Sequence, residues 1–331
     1  MNEKSKFTPF LYILPAALIV IIFRLVPITL SFLLSFFKWT IRGPEKFIAF
    51  QNYVKLFNDP QFWQSLLNTV FLVIFVVPST LIFSLFFANL LNKTKALSGF
   101  FRTTFFVPTV TSLVAISIVW KLIFAQKSGL MNHFLSLFGI NGLGWLSESR
   151  GIFDLLFGAV GINFKEWLHV LAGGTGIPFN TLYIILGGPS LALFAIIIVT
   201  VWRSLGYNTI VYLAGLQSIP DIYYEAAEID GASKFKQFFK ITVPLISPTT
   251  YYVLLMTTIV TFRVFSQVYL MTGPPVGGPL GTTKVIVYYI FETGLGEAMD
   301  LSYASTIALV LFFIILSVTL LQRKLEKKVH Y

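Results

Sequence analysis

QSIPDIYYEAAEIDGASKFKQFFKITVPLISP, residues 217–248, is the stretch on which the reading of this chain turns. Asp221, Glu225, Glu228 and Asp230 place four of the chain's 14 acidic residues within ten positions, so the segment must meet water or a polar partner. Its local pattern is helical. Ser218 is placed to cap a helix start, with Asp221 three residues on in a capping-box arrangement and Pro220 in the first turn. Ile222, Ala226 and Ile229 then form one apolar stripe at helical spacing. Gly231 supplies a left-handed stop. A second short helix is expected from Ser233, with Phe235, Phe238 and Phe239 on one face, ending before Pro244. The expectation is a bent pair of short helices at a membrane surface.

The membrane follows from what surrounds this segment. Of 331 residues 56% are hydrophobic and only 11% charged, where a soluble domain carries about 25% charged residues. Six stretches hold the roughly 20 apolar residues that a bilayer requires of a helix: 11–33, 69–91, 105–124, 191–211, 251–271 and 304–321. They are continuously apolar rather than alternating, which selects helices over barrel strands. Pro15, Pro27 and Pro78 inside them predict bends. The first stretch is too long for a signal-peptide core and lacks a small-residue cleavage site, so it is expected to stay as a span. The fold class is therefore an all-α integral membrane protein with six transmembrane helices.

Charge sets the orientation. Lys4, Lys6, Lys93, Lys95, Arg102, Lys234, Lys236, Lys240, Arg323, Lys324, Lys327 and Lys328 fall on one side of such a six-span chain. Lys38, Arg42, Lys46, Lys55, Lys127, Arg150, Lys165 and Lys284 are spread over longer loops on the other. That bias puts both termini and the 217–248 loop in the cytoplasm of a multi-pass cell-membrane (inner or plasma membrane) protein. The connection 125–190 holds two apolar pieces, 151–164 and 177–188, each too short to span, which are expected to be external or re-entrant. One extra span alone would turn the basic tail outward.

At the central loop the chain resembles a family. Tyr224-Glu225-Ala226-Ala227, Asp230-Gly231-Ala232 and Ile241-Thr242-Val243-Pro244-Leu245 look like the EAA loop of ATP-binding-cassette (ABC) importer permeases. Flanking strings are similar to the carbohydrate-type branch that includes maltose and glycerol-phosphate permeases. They are Asn52-Tyr53, Asp59-Pro60-Gln61-Phe62-Trp63, Leu67-Asn68-Thr69, Phe100-Phe101-Arg102-Thr103, Trp202-Arg203-Ser204-Leu205-Gly206-Tyr207-Asn208 and Leu213-Ala214-Gly215-Leu216-Gln217-Ser218-Ile219-Pro220. The resemblance implies a permease that imports a carbohydrate or polyol-type solute. It implies as partners cytoplasmic ABC ATPase subunits, a second homologous permease and an external solute-binding protein, all in membrane lipid. It also carries ATPase-coupling roles to Glu225, Ala226, Ala227, Asp230 and Gly231. Small Ala226 and Ala227 suit close approach, Gly231 a sharp bend, and Glu225 a basic or amide group of the partner. An amphipathic surface helix with no coupling role is the plainer alternative.

The chain departs from that family in two places. After Gly144-Trp145-Leu146 relatives pass quickly into the next span, whereas here 150–189 intervenes, either as a tolerated insertion or as an enlarged platform for the binding protein. Gly273-Pro274-Pro275 through Pro279 also differs from the usual turn.

Ionisable residues inside spans are candidates for function because each must face a polar interior. Arg24, Lys121, Arg203 and Arg263 qualify, with Lys121 near enough to a span end to snorkel. Arg203 and Arg263 lie in the spans just before and after the loop, the two helices that the resemblance implies line a solute pathway. By motif, Thr200, Ser204 and Tyr207 join Arg203 in the first, and Thr257, Thr261 and Val264 join Arg263 in the second. Helix–helix packing is the alternative role for the same hydroxyls. No catalytic or metal constellation is expected: cysteine is absent, and His133, His169 and His330 share no ligand spacing. No Walker-type glycine loop exists, so ATP hydrolysis belongs to another chain, and no cofactor or nucleic-acid partner is implied. An ion-coupled secondary transporter is the rival reading, though it predicts internal repeats and no EAA-type loop.

Overall fold

The computed structural model describes residues 8–40, 43–93, 98–175, 178–273, 275–297 and 299–326. The orientation residues Lys4, Lys6, Arg42, Lys95, Lys327 and Lys328, together with Ile177, Pro274 and His330, lie outside them. Contacts divide the chain into two units, one from residues 1–63 and 289–314, the other from 64–288 and 315–331.

Four described helices are long and apolar enough to cross a membrane: α1 (Phe10–Leu34), α3 (Pro60–Lys93), α10 (Leu191–Gln217) and α16 (Leu301–Glu326). Two bent pairs raise the number to six if each is one span. The helices α4 (Ser98–Val110) and α5 (Leu113–Ile123) meet at 103°, and α12 (Lys234–Leu245) and α13 (Ser247–Phe262) at 65°. The remaining helices are α2 (Gln51–Phe57), α6 (Leu130–Ser136), α7 (Ile152–Ala159), α8 (Phe164–Thr175), α9 (Phe179–Leu186), α11 (Ile222–Ile229), α14 (Ser266–Met271) and α15 (Ile286–Leu295).

Two stretches expected as unbroken helices are interrupted. In 105–124 the helix runs through Pro108 and ends at Val110, and Ser112 is extended at φ −53°, ψ 127°. In 251–271 it stops at Phe262, Arg263 caps it, and α14 begins only at Ser266. Conversely, α12 runs through Pro244 instead of ending before it. A π-turn at Phe238–Thr242, closed by the Val243 amide on the Phe238 carbonyl, inserts an extra residue just ahead of the proline ring. The same device at Ile21–Leu25 precedes Pro27 and carries Arg24.

In the first unit a hairpin of β1 (Phe37–Thr40) and β2 (Gly43–Phe47), which the sequence reading did not foresee, follows α1. The buried Asn52 amide binds the Ser35 carbonyl at 3.0 Å and holds the turn beneath it. At the head of α3, Asp59 accepts from the Tyr303 hydroxyl at 2.6 Å, from the Tyr289 hydroxyl, and from the Gln61 amide at 2.9 Å.

In the second unit α10 is the axis. At Gly206 a Cβ would stand 2.1 Å from the Phe105 carbonyl oxygen, so α4 packs there directly on backbone. Gly215 likewise admits Thr249 of α13, where a Cβ would lie 2.5 Å from its hydroxyl. Small residues at helix contacts are how membrane helices come close without a hydrophobic drive between them. Around the first half of α10 Ile116, Phe124, Trp145, Leu191, Ala195, Val199 and Met271 form one core. Around its second half Ala88, Leu91, Tyr212, Leu213, Leu216, Ile219, Ile246 and Val253 form another.

The segment set apart at 150–189 folds as α7–α9, three short helices. Gly151 bridges Ser190, the Leu191 amide binds the Arg150 carbonyl at 3.0 Å, and the Ile152 amide binds the Pro189 carbonyl at 2.9 Å. The excursion therefore leaves and rejoins the body at one closed neck, at the first turn of α10.

Candidate functional site: an exposed loop helix and a mid-helix cavity

Helix α11 begins at Ile222, with Asp221 as its capping residue and no side-chain cap bond. Ser218 does not start it. Ser218 instead closes α10, its hydroxyl donating to the Gly215 carbonyl at 2.7 Å. The expected stop at Gly231 is present: φ is +72°, and the Ala232 amide binds the Ala227 carbonyl at 2.8 Å. Ser233 caps α12, accepting from the Lys236 amide at 3.3 Å. Lys234 pairs with Glu228 across the bend, and its hydrogen bond and charge hold that carboxyl below the usual glutamate range. An exposed pair of this kind contributes little stability, so the backbone and Gly231 set the bend.

Helix α11 touches the body through one side only. Tyr224 packs on the second α10 core, and its hydroxyl lies 3.0 Å from that of Thr242. Gln237, buried beneath, donates to the Ala232 carbonyl at 3.2 Å. The stripe Ile222, Ala226 and Ile229 faces away, with Ile229 87% exposed, and Glu225 and Asp230 are exposed beside it. Ala227 is half-buried at the edge. An amphipathic helix ordinarily turns such a stripe inward. Here it is presented outward on a helix held from behind, which suits insertion into a cleft of another protein.

Between the two α10 cores lies a cavity of about 230 Å³ lined by Thr109, Arg203, Ser204, Tyr207, Asn208, Met256, Thr257 and Val260. Arg203 Nε and the hydroxyls of Thr109 and Thr257 are buried without a hydrogen-bond partner among the described residues. Such groups are costly to leave unpaired and are suited to hold a polar solute. Tyr207 reaches Tyr252, their hydroxyls 3.0 Å apart, at the exposed rim.

Of the expected pathway residues, Arg203, Ser204, Tyr207 and Thr257 converge on this cavity, and four others do not line it. Thr200 and Thr261 are buried with their hydroxyls bound to the Ile196 and Thr257 carbonyls, each at 2.7 Å. Val264 is buried, and Arg263 is exposed at the end of α13. Thr109, Asn208, Met256 and Val260 are lining residues that sequence reasoning did not name. Asn208 follows Tyr207 directly in a quoted motif, a signal that was present. Thr109 enters because α4 lies against Gly206, which only the packing shows. Lys121 lies elsewhere, on a second cavity of about 580 Å³, with Nζ 3.5 Å from the Gly273 carbonyl. The described residues contain no group of side chains able to hold a metal ion.

Comparison with known proteins adds to this geometry. Residues 47–331 match the family described as "Binding-protein-dependent transport system inner membrane component". The chain is 33% identical over 330 residues to the probable ABC transporter permease protein YurN of Bacillus subtilis (strain 168), covering 99% of this chain and 98% of the relative. It is 34% identical over 316 residues to the lactose transport system permease protein LacF of Rhizobium radiobacter, covering 94% and 91%. Among solved structures it is similar in fold to a chain of a bacterial ABC transporter involved in the import of the acidic polysaccharide alginate. There the TM-score is 0.74 at 21% identity, over 99% of this chain and 98% of that one.

Proposed function

The chain belongs to the family of inner membrane components of binding-protein-dependent transport systems, as a carbohydrate-type ABC importer permease, and from that premise we propose how it works. It is a transport component rather than an enzyme. We propose that it translocates a carbohydrate or polyol-type solute received from an external binding protein, beside a second homologous permease. Separate cytoplasmic ATPase subunits supply the drive, and both termini face the cytoplasm with them. Membership in this family sets aside the ion-coupled alternative.

The observation that carries the proposal is the attitude of α11. Tyr224 fastens it to the α10 core while Ile222, Ala226 and Ile229 point outward beside Glu225. In this proposal Ala226 and Ala227 permit close approach of the ATPase. Glu225 and Asp230 offer it carboxylates, and Gly231 keeps the bend. Closure of two ATPase subunits on ATP pushes α11, and Tyr224 passes the displacement to α10 and α13. Those are the helices that carry Arg203, Ser204, Tyr207 and Thr257, so access to the cavity between them changes. Thr200, Thr261, Arg263 and Val264 would support the pathway from its flanks, Arg263 at the point where the helix is broken.

The sequence contains no cysteine, so a single Ala226→Cys carries one defined label. A photocrosslinker attached there in the native membrane is expected to join the chain to a subunit bearing a Walker-type ATP site. Labelling of lipid alone, with the variant still active in uptake, would overturn the assignment.

A further inference from the structure

The excursion α7–α9 carries an apolar face that the protein itself leaves uncovered. Phe153, Leu156 and Phe157 of α7, with Val160 that caps it, recur at the i, i+3, i+4, i+7 positions of one helix face, and all four are exposed, Leu156 at 60% and Val160 at 77%. Ile152, on the other side, is buried against the body. Trp167 of α8 extends the face, its indole stacked on Phe157 with ring centroids 6.4 Å apart and itself half exposed. The polar groups collect elsewhere. The Tyr183 hydroxyl donates to Asp154 at 2.8 Å, and Lys165 stands over the Tyr183 ring, 5.5 Å from its centroid. Phe153, Leu156, Phe157, Val160 and Trp167 thus form an aromatic and aliphatic face, and the described polar pairings lie on other residues.

Placement decides what can cover that face. The neck is hydrogen-bonded to the first turn of α10, a helix long and apolar enough to cross the membrane, through Arg150 and Leu191. The excursion therefore emerges where a span meets the membrane boundary. Surfaces that bind and release a soluble protein are about as polar as the rest of a protein surface. Of the five residues that form this face, only Trp167 at its rim carries a polar group, the indole N–H. A tryptophan at the edge of an apolar helix face, with a lysine on the far side, is the arrangement of helices that lie in a lipid interface.

We propose that α7 and α8 form an interfacial raft, lying on the leaflet at the neck with Phe153, Leu156, Phe157, Val160 and Trp167 in the acyl boundary and Lys165 toward water. The raft fixes the depth of the α10 N-terminus and makes no demand on a protein partner.

The test uses the cysteine-free 331-residue chain with single substitutions Leu156→Cys, Val160→Cys and Lys165→Cys. Each is labelled with an environment-sensitive fluorophore and placed in bilayers of ordinary or brominated phosphatidylcholine. Retained solute uptake in each variant shows that it is folded. Labels at 156 and 160 are expected to lose fluorescence in brominated lipid and resist iodide, while the label at 165 does the reverse. Quenching of 156 and 160 by iodide, with none by brominated lipid, overturns the proposal. If iodide reaches them until solute-loaded binding protein is added, the face is a protein-docking surface and the proposal also fails.

Discussion

The hydroxyls of Tyr224 and Thr242 lie 3.0 Å apart, and this pair is the polar link between α11 and the π-turn of α12 that leads toward α13. Tyr224→Phe removes one partly buried hydrogen bond, about 1 kcal/mol in net terms, while keeping the ring in its apolar contacts. ATP-driven uptake into proteoliposomes is expected to fall with expression unchanged. Thr242→Val should do the same, and the double variant should be no worse than either single, because both remove one interaction. Additive losses would place the two side chains in separate roles.

Gly206 and Gly173 make a matched pair for stability. A Cβ at Gly206 would sit 2.1 Å from the Phe105 carbonyl, whereas at Gly173 it would meet nothing within 4 Å. Gly206→Ala must push α4 off α10, a loss on the order of 1–3 kcal/mol. Gly173→Ala is expected to be neutral or to stabilise α8 by up to about 1 kcal/mol. Thermal unfolding in detergent, read on both, checks the contrast.

Arg203 and Thr257 are expected to act on the solute and Thr200 not to. Thr257→Val and Arg203→Met each remove a cavity group that has no partner within the described chain. Loss of a hydrogen bond to a solute is worth about 1–3 kcal/mol, so apparent affinity for the solute should weaken by about fivefold to a hundredfold. Thr200→Val removes a hydroxyl already bonded to its own helix at Ile196, and uptake should stay near the wild-type value. Equal effects from all three would point to packing instead.

Asp59 gives the first unit a pH dependence. Burial pushes its carboxyl up, but hydrogen bonds from Tyr289, Tyr303 and the amides of Gln61 and Phe62 outweigh that, and the net shift is downward. A carboxylate lowered on folding contributes stability that is fully present above its unfolded pKa. That contribution is lost as pH falls through the lowered folded value. Melting temperature should therefore decline through the acid range in the wild type. Asp59→Asn should melt lower at neutral pH and show a flatter acid decline. Parallel curves would remove Asp59 from the account.

Much of the loop was legible because its signals are local. Glu225-Ala226-Ala227, the positive φ of Gly231 and the cap at Ser233 depend on neighbours within a few residues. Ser218 misled because a serine two positions before a proline serves a helix end as well as a start. The π-turn before Pro244 left no readable trace in periodicity, since the phase shift made by one extra residue is followed by only Val243–Leu245 before α12 ends. The cavity was half legible for a different reason. Arg203, Ser204 and Tyr207 share a motif on one helix, but Thr109, Met256 and Val260 join them only where α4 and α13 meet α10. The breaks at Ser112 and Arg263 likewise carry no breaker of their own.

The central claim is that α11 is the handle by which a separate ATPase drives this permease. Gly231 needs φ +72°, which asparagine tolerates and valine does not, while space for either side chain is open. The decisive measurement is identification of what accompanies the tagged chain purified from its native membrane, for wild type, Gly231→Asn and Gly231→Val expressed at equal level. The account predicts a P-loop ATPase and a second permease with wild type and Gly231→Asn, and the permease without the ATPase for Gly231→Val. A chain that purifies alone in all three, or an ATPase retained by Gly231→Val, would contradict it.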